Sequence, residues 1–362
     1  MATDTSRPGQ LGHARWSEVA TMLGPALLLF AGFVLLPFVL AVGFSFSNIK
    51  LLQSEPAGWV GLDNYTRLFS IKVIPAPERR AAGEATSDDE AQRPSRQWRR
   101  LKREAPADFE GYQFLTDLAL PGGRVLIGAR DPLFLRSVAN TFLFALLVVP
   151  LQTALAFGMA LWVNRSFRGR VVLRTVFFAP VVTSMVVVSA IWGLLLHADA
   201  GLINQLLLAV LGAGAPQPDW LGDPQLAMAS IALMSAWQGA GFQMLVFLSG
   251  LQGIAKEQYE AAEVMGASRW QQFVYITLPA MKRTTVFVTL STTIMAFGLF
   301  TQVDILTGGG PRDATSTIIF HSVRVGFREQ DIAYGSAMAL FFFVFVLLLS
   351  LVQKKIMERS GA

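Results

Sequence analysis

The chain has 362 residues, 53% of them hydrophobic and only 15% charged, with a mean hydropathy of +0.46. A soluble domain is about 45–50% apolar and about 25% charged, so much of this chain faces a solvent other than water. It has no cysteine, which excludes disulfides and thiolate chemistry, and its three histidines, His13, His197 and His321, lack the H-E-x-x-H spacing of a zinc site.

A membrane helix needs roughly 20 mostly apolar residues. Six stretches qualify, at 20–46, 138–163, 171–196, 226–250, 284–306 and 333–353. The expected fold is therefore all-α, a polytopic membrane protein with six transmembrane helices. Residues 1–19 form a tail. The apolar run from Val19 to Phe46 exceeds the roughly 7–15 residues of a signal-peptide core and has no small-x-small cleavage site after it, so it reads as a retained helix, kinked at Pro25 and Pro37. A long loop, 47–137, follows. Its insert, 71–130, mixes charges of both signs with Pro and Gly over 77–106, a composition expected to be flexible in part. Further on, Leu118-Ala119-Leu120 and Val125-Leu126-Ile127 flank Pro121-Gly122-Gly123-Arg124, the pattern of a β-hairpin. A tolerated insertion explains such a loop better than a contact surface for an external partner does, because long loops cost little stability.

Residues 138–353 then hold five spans, interrupted by a polar segment at 251–283. Glu257, Glu260 and Glu263 repeat at i, i+3 and i+6 and make one acidic face of a short helix. Gly266 ends it as a C-terminal cap would. Ser268 and Gln271 have the spacing of a capping box, so a second helix starts there, with Trp270, Phe273 and Val274 as its apolar stripe. Pro279 fits near the start of the fifth span, where a missing amide donor is harmless. The segment 354–362 is a second tail.

Orientation follows from Lys and Arg in short loops. With the N-terminus inside, the inner segments carry Arg7, Arg15, Arg165, Arg168, Arg170, Arg174, Lys256, Arg269, Lys282, Arg283, Lys354, Lys355 and Arg359, and the short outer ones only Arg312, Arg324 and Arg328. The outer loop 47–137 has fourteen basic and twelve acidic residues, but loops beyond about 60 residues are exempt from the rule. Both termini are expected in the cytoplasm. The net charge of +5 is thus topological, and nucleic-acid binding has no other support.

Glu260-Ala261-Ala262, Gly266 and Ile276-x-Leu278-Pro279 together match the E-A-A-x3-G-x9-I-x-L-P loop of binding-protein-dependent ABC importer permeases, at seven fixed positions. The chain is similar to the sugar-transport branch of that family through 61–70, 175–196, 236–254 and 302–311, and thus over nearly all of 20–353 except the insert. The resemblance implies that the motif loop docks on an ATPase, with Glu260, Ala261 and Gly266 in the docking surface. It also implies a heterodimer with a second permease subunit, two ATPase subunits, an extracytoplasmic solute-binding protein, and a place in the lipid bilayer of the cytoplasmic (inner) membrane. ATP and Mg belong to the ATPase partners; this chain carries no cofactor and is not itself an enzyme. The implied solute is a sugar or oligosaccharide, with glycerol phosphate or another polyol as the alternative. An ion-coupled secondary transporter would need intramembrane carboxylates, and only Asp304, near a helix end, offers one.

Polar groups inside a bilayer tend to mark pathways. The candidates are Gln238, Gln302, Gln243, Gln152 and Asp304, with Trp237 as a flat surface for a sugar ring. The plain alternative is hydrogen bonding between helices for the glutamines and a water-facing helix end for Asp304. Leu248-Ser249-Gly250-Leu251-Gln252 lacks the second glycine of an ATPase LSGGQ signature, and Gly308-Gly309-Gly310-Pro311 lacks the Lys-Ser/Thr of a phosphate loop.

Overall fold

The computed structural model describes residues 16–52, 56–75, 94–120, 123–212 and 214–359. The tail before residue 16, the charged run 76–93, the Pro121-Gly122 tip of the expected hairpin and residues 360–362 lie outside the described residues.

The first apolar run forms α1 (Trp16–Phe30) and α2 (Leu36–Ser45), joined by a widened π-helical turn at Ala31–Leu35. Leu36 N–H reaches five residues back to the Ala31 carbonyl just before Pro37. A proline has no N–H and its ring crowds the carbonyl one turn earlier, so the wider turn is where the ladder gives way. From Pro25 to Leu40 nearly every side chain is exposed although most are apolar. That surface fits lipid or another membrane chain, not water. The C-terminal end of α2 is closed by α3 (Asp63–Phe69). There, Asn64 Nδ2 donates to the carbonyls of Ser45 and Ser47, each at 2.9 Å, and Tyr65 Oη donates to Ser45 Oγ at 2.8 Å. These bonds satisfy carbonyls that a helix end leaves without partners.

The insert corrects the all-α expectation. It holds a three-stranded antiparallel sheet in the order β1-β3-β2, from β1 (Ile71–Pro75), β2 (Gln113–Leu120) and β3 (Gly123–Ala129). The expected hairpin is β2–β3, and β1 is an additional strand on its far side. Part of the stretch expected to be flexible is helix α4 (Pro94–Glu104). Its Trp98, 2% exposed, packs with Phe109 and Leu126. A Cβ at Gly128 of β3 would lie 1.9 Å from the Trp98 ring, so glycine there is what lets the helix sit on the sheet.

The core is built on α5 (Pro132–Val163). Asp131 caps it by accepting from Phe134 N–H at 2.8 Å, and Pro132 takes a position where no donor is needed. The third expected span is not one helix. It is α6 (Arg170–Val182) and α7 (Met185–Leu195), bent by 100° at Thr183-Ser184. A short helix, α8 (Leu202–Leu211), precedes the central α9 (Ala227–Gln252). Ala156 and Ala160 of α5 and Ala236 and Ala240 of α9 are fully buried. A Cβ at Gly241 would lie 2.2 Å from the Phe177 carbonyl of α6. Small residues of this kind let helix backbones approach in a membrane.

Three short helices follow: α10 (Lys256–Val264), α11 (Arg269–Gln272) and α12 (Leu278–Ala280). The fifth expected span is also interrupted, into α13 (Lys282–Phe297) and α14 (Thr301–Leu306). After α15 (Ile318–Val323), α16 (Ile332–Arg359) closes the bundle along α2, with Phe38 and Phe343 meeting edge to face at 5.1 Å. Among the described residues, four helices are long and apolar enough to cross a membrane, and a fifth crossing counts if the bent α6–α7 pair is one span. The chain is a mainly helical membrane protein.

Candidate functional site

The segment between α9 and α13 is fixed by local rules. α10 ends at Met265, and Gly266 has a φ of 79°. Gly266 N–H bonds to the Glu263 carbonyl and Ala267 N–H to the Ala262 carbonyl, both at 2.9 Å. This is the paired closure of a Schellman turn, which needs a residue at ease in the left-handed region. Two residues on, Ser268 Oγ accepts from Gln271 N–H at 3.3 Å, and Ser268 N–H donates to Gln271 Oε1 at 2.7 Å. The expected glycine cap and capping box are both present. A widened turn at Phe273–Thr277 leads into Pro279: Leu278 N–H reaches back five residues to Phe273 O. The device is the one seen before Pro37.

α10 is fastened to this widened turn by Tyr259 Oη and Thr277 Oγ1 at 2.9 Å. Of the seven motif residues, Glu260, Ala261, Gly266, Leu278 and Pro279 are exposed, Ile276 is half-buried and Ala262 is buried. The acidic face of Glu257, Glu260 and Glu263 lies open to solvent. Beside it stand apolar side chains with little cover: Val264 is 89% exposed, Met265 81% and Tyr275 75%. Trp270, of the expected apolar stripe, is also exposed and stands beside Phe273, with ring centroids 5.6 Å apart. An open apolar patch with an acidic rim suits a protein partner.

Four of the five polar candidates have a hydrogen-bond or ion-pair partner. Gln243, buried, donates to Thr292 Oγ1 and so ties α9 to α13. Gln302 Nε2 lies 3.5 Å from Ser235 Oγ, and Asp304 accepts from Arg328 Nη2 at 2.6 Å. Gln152 is buried against Gly239, where a Cβ would lie 2.3 Å from its amide nitrogen. Half-buried Gln238 donates at 3.4 Å to the Pro180 carbonyl, in the last turn before the α6–α7 bend. Trp237 is 39% exposed and faces Trp192 of α7 with centroids 5.7 Å apart. Gln238 thus stands at the break in the third span, and broken helices are where transporters expose backbone to solute.

One cluster was not legible in the sequence. Asp131, His321 and Tyr334 are all buried. Asp131 Oδ2 faces His321 Nε2 at 3.0 Å and accepts from Tyr334 Oη at 2.7 Å, so one carboxylate joins α5, α15 and α16. Arg67 of α3 lies over the Tyr334 ring at 3.8 Å and pairs with Asp331 at 3.3 Å. Burial pushes the Asp131 carboxyl up. The hydrogen bond and charge of His321, with bonds from Phe134 and Tyr334, outweigh this and hold it below its usual 3.8. Asp131-Pro132 does read as a helix start, but nothing in the sequence links it to His321, 190 residues away.

Residues 152–360 match the family described as "Binding-protein-dependent transport system inner membrane component". The chain is 34% identical over 234 residues to the trehalose/maltose transport system permease protein MalF of Thermococcus litoralis, covering 64% of this chain and 76% of that one. It is 26% identical over 337 residues to the sulfoquinovosyl glycerol transport system permease protein SmoG of Agrobacterium fabrum, covering 93% and 89%. Its fold is shared with a chain in the crystal structure of a bacterial alginate ABC transporter in complex with an alginate pentasaccharide-bound periplasmic protein. The TM-score is 0.68, with 18% identity and coverage of 96% and 98%.

Proposed function

The chain belongs to the family of binding-protein-dependent transport system inner membrane components, and we propose that it is the permease subunit of an ABC importer carrying a sugar or oligosaccharide delivered by an extracytoplasmic binding protein. The observation that carries this is the exposed motif loop, whose glycine turn and capping box hold Glu260, Ala261 and Gly266 open for an ATPase. The named solutes of its relatives, trehalose/maltose and sulfoquinovosyl glycerol, support the sugar assignment. In this reading the bent α6–α7 pair and the interrupted α13–α14 pair are each one crossing, which gives six. The second permease, two ATPase subunits binding ATP and Mg, and an inner-membrane location with cytoplasmic termini complete it. Work comes from the partners, and this chain supplies the alternating pathway by rocking of helices. Co-purification with the ATPase subunits, followed by ATPase assays with binding protein and a panel of sugars and glycerol phosphate, tests it. Stimulation by none of them removes the proposal, and stimulation by glycerol phosphate alone replaces the sugar.

Topology has its own test. Because the chain has no cysteine, single cysteines at Ser95 in α4 and Ser268 report side directly. An impermeant thiol reagent applied to intact cells should label Ser95→Cys and spare Ser268→Cys. Labelling of both from outside contradicts the charge bias.

Gln238→Leu and Gln302→Leu should each lower uptake about tenfold or more, since a solute hydroxyl left unpaired in a dry site costs about 1–3 kcal/mol. Assembly and basal ATPase activity should persist. Normal uptake by both variants moves the solute contacts elsewhere, including onto the partner permease.

A further inference from the structure

An open cleft of about 560 Å³ lies at the outer end of the bundle, between α7, the segments flanking α8, and α14. That volume is in the range of small-molecule sites, about 300–1,000 Å³. Its wall includes Leu221 and Ile305, and its polar groups are Ser189, His197, Asp199 and Asp219; among the described residues no Lys or Arg lines it.

The cleft is built, not incidental. Asn204 of α8 is 1% exposed, and its amide nitrogen donates to the Ala198 carbonyl at 2.7 Å and to the Pro218 carbonyl at 3.1 Å. Its oxygen accepts from Trp220 Nε1 at 2.8 Å. One fully engaged side chain thus clamps the residues just before Asp199 and just before Asp219, and so holds the two carboxylates on the same cleft. Asp219 is further fixed by Gly222 N–H, 2.9 Å from Oδ1, and a Cβ at Gly222 would lie 1.9 Å from Oδ2. Ala200 N–H donates to His197 Nδ1 at 3.3 Å, which leaves the proton of the neutral ring on Nε2 as a donor. Ser189 is fully buried at the cleft, and its hydroxyl has no hydrogen-bond partner.

The donor and acceptor set defines the ligand. Two carboxylates only accept, so the ligand must bring donors; the unengaged Ser189 hydroxyl both gives and takes. The leucine and isoleucine wall suits C–H faces. Two negative charges, with no Lys or Arg beside them among the described residues, repel an anion. We infer that this cleft is an outer binding site for a neutral polyhydroxylated solute, and that it discriminates against phosphorylated or acidic ones. The inference deepens the import reading and rests on it for orientation: the cleft is where solute arrives before the α6–α7 bend.

The test uses the assembled transporter in liposomes with Ala198→Cys, a small change at the cleft in a chain without other cysteines. The rate at which a membrane-impermeant thiol reagent modifies this chain is measured with trehalose or with glycerol 3-phosphate present at equal concentration. Trehalose should slow modification about fivefold or more, and glycerol 3-phosphate by less than about twofold. Adding Asp199→Asn and Asp219→Asn should bring the two solutes within about twofold of each other, because the repelling charges are gone. Equal protection by both solutes in the parent, or protection by neither, overturns the inference. Trehalose uptake by the same liposomes reads the import proposal separately. Uptake without protection removes the cleft and keeps import; protection without uptake keeps the cleft and removes trehalose as cargo.

Discussion

Glu260→Lys combined with Gly266→Val should leave the chain in the membrane but separate it from its ATPase partners. Charge reversal puts a cation where the exposed face carries Glu257, Glu260 and Glu263. Losing a charged contact at an interface costs about 2–5 kcal/mol. At Gly266, with φ at 79° and no atom within 4 Å of a built Cβ, space is not the obstacle; the backbone conformation is. A β-branched residue there is strained by about 1–2 kcal/mol and opens the turn that positions α10 against α11. Together these should reduce coupled transport about a hundredfold or more. Gly266→Asn is the control, since asparagine tolerates the left-handed region and should retain most activity. Recovery of the ATPase with the double variant at parental yield, together with full transport, would refute the docking role.

The second large effect is expected at Asp131→Ala. Its removal leaves His321 Nε2–H, Tyr334 O–H and Phe134 N–H without their acceptor in a buried site. Deleting one member of such a pair costs about 3–5 kcal/mol. The purified variant in detergent should unfold at a clearly lower temperature than the parent, and Tyr334→Phe, which removes one donor only, should fall between them. The pH dependence has a definite sign. A carboxylate whose folded value lies below 3.8 contributes stability that is complete above that value and lost as pH falls through the folded one. The part of the gap between parent and Asp131→Ala that rests on the carboxylate's charge should therefore shrink in strong acid. Parental melting of Asp131→Ala would mean the cluster does not hold the helices together.

The motif loop was legible because each of its devices is local. A glycine where the helix must turn left-handed and a serine three residues before a glutamine are rules that act within one or two turns of chain. The break at Thr183-Ser184 was not legible, since a uniformly apolar run looks the same straight or bent by 100°. Pro180, one turn before the bend, was its only mark. Helix α4 was missed for a different reason. Its charge-rich sequence has only two large apolar side chains, Trp98 and Leu101, and the Trp98 ring buries itself only because Gly128, thirty positions later, leaves room. Strand β1 likewise acquires its role from Val125, Ile127 and Ala129, more than 50 residues on. Of the solute-path candidates, composition located the polar residues but not their partners, which sit on other helices.

The rung between Ile71 and Ala129 bears on how the insert came to be there. The chain leaves the transporter at one of these residues and returns at the other, in adjacent strands about 5 Å apart. Among the described residues between them, Trp98, Phe109 and Leu126 form a small apolar centre of their own. A segment with such closely spaced ends can be gained, lost or exchanged by a single genetic event without moving any membrane helix. The same narrow neck offers protein engineers a grafting point, where a fluorescent domain or affinity handle with neighbouring termini would replace 71–129 and leave the machine beneath it unaltered.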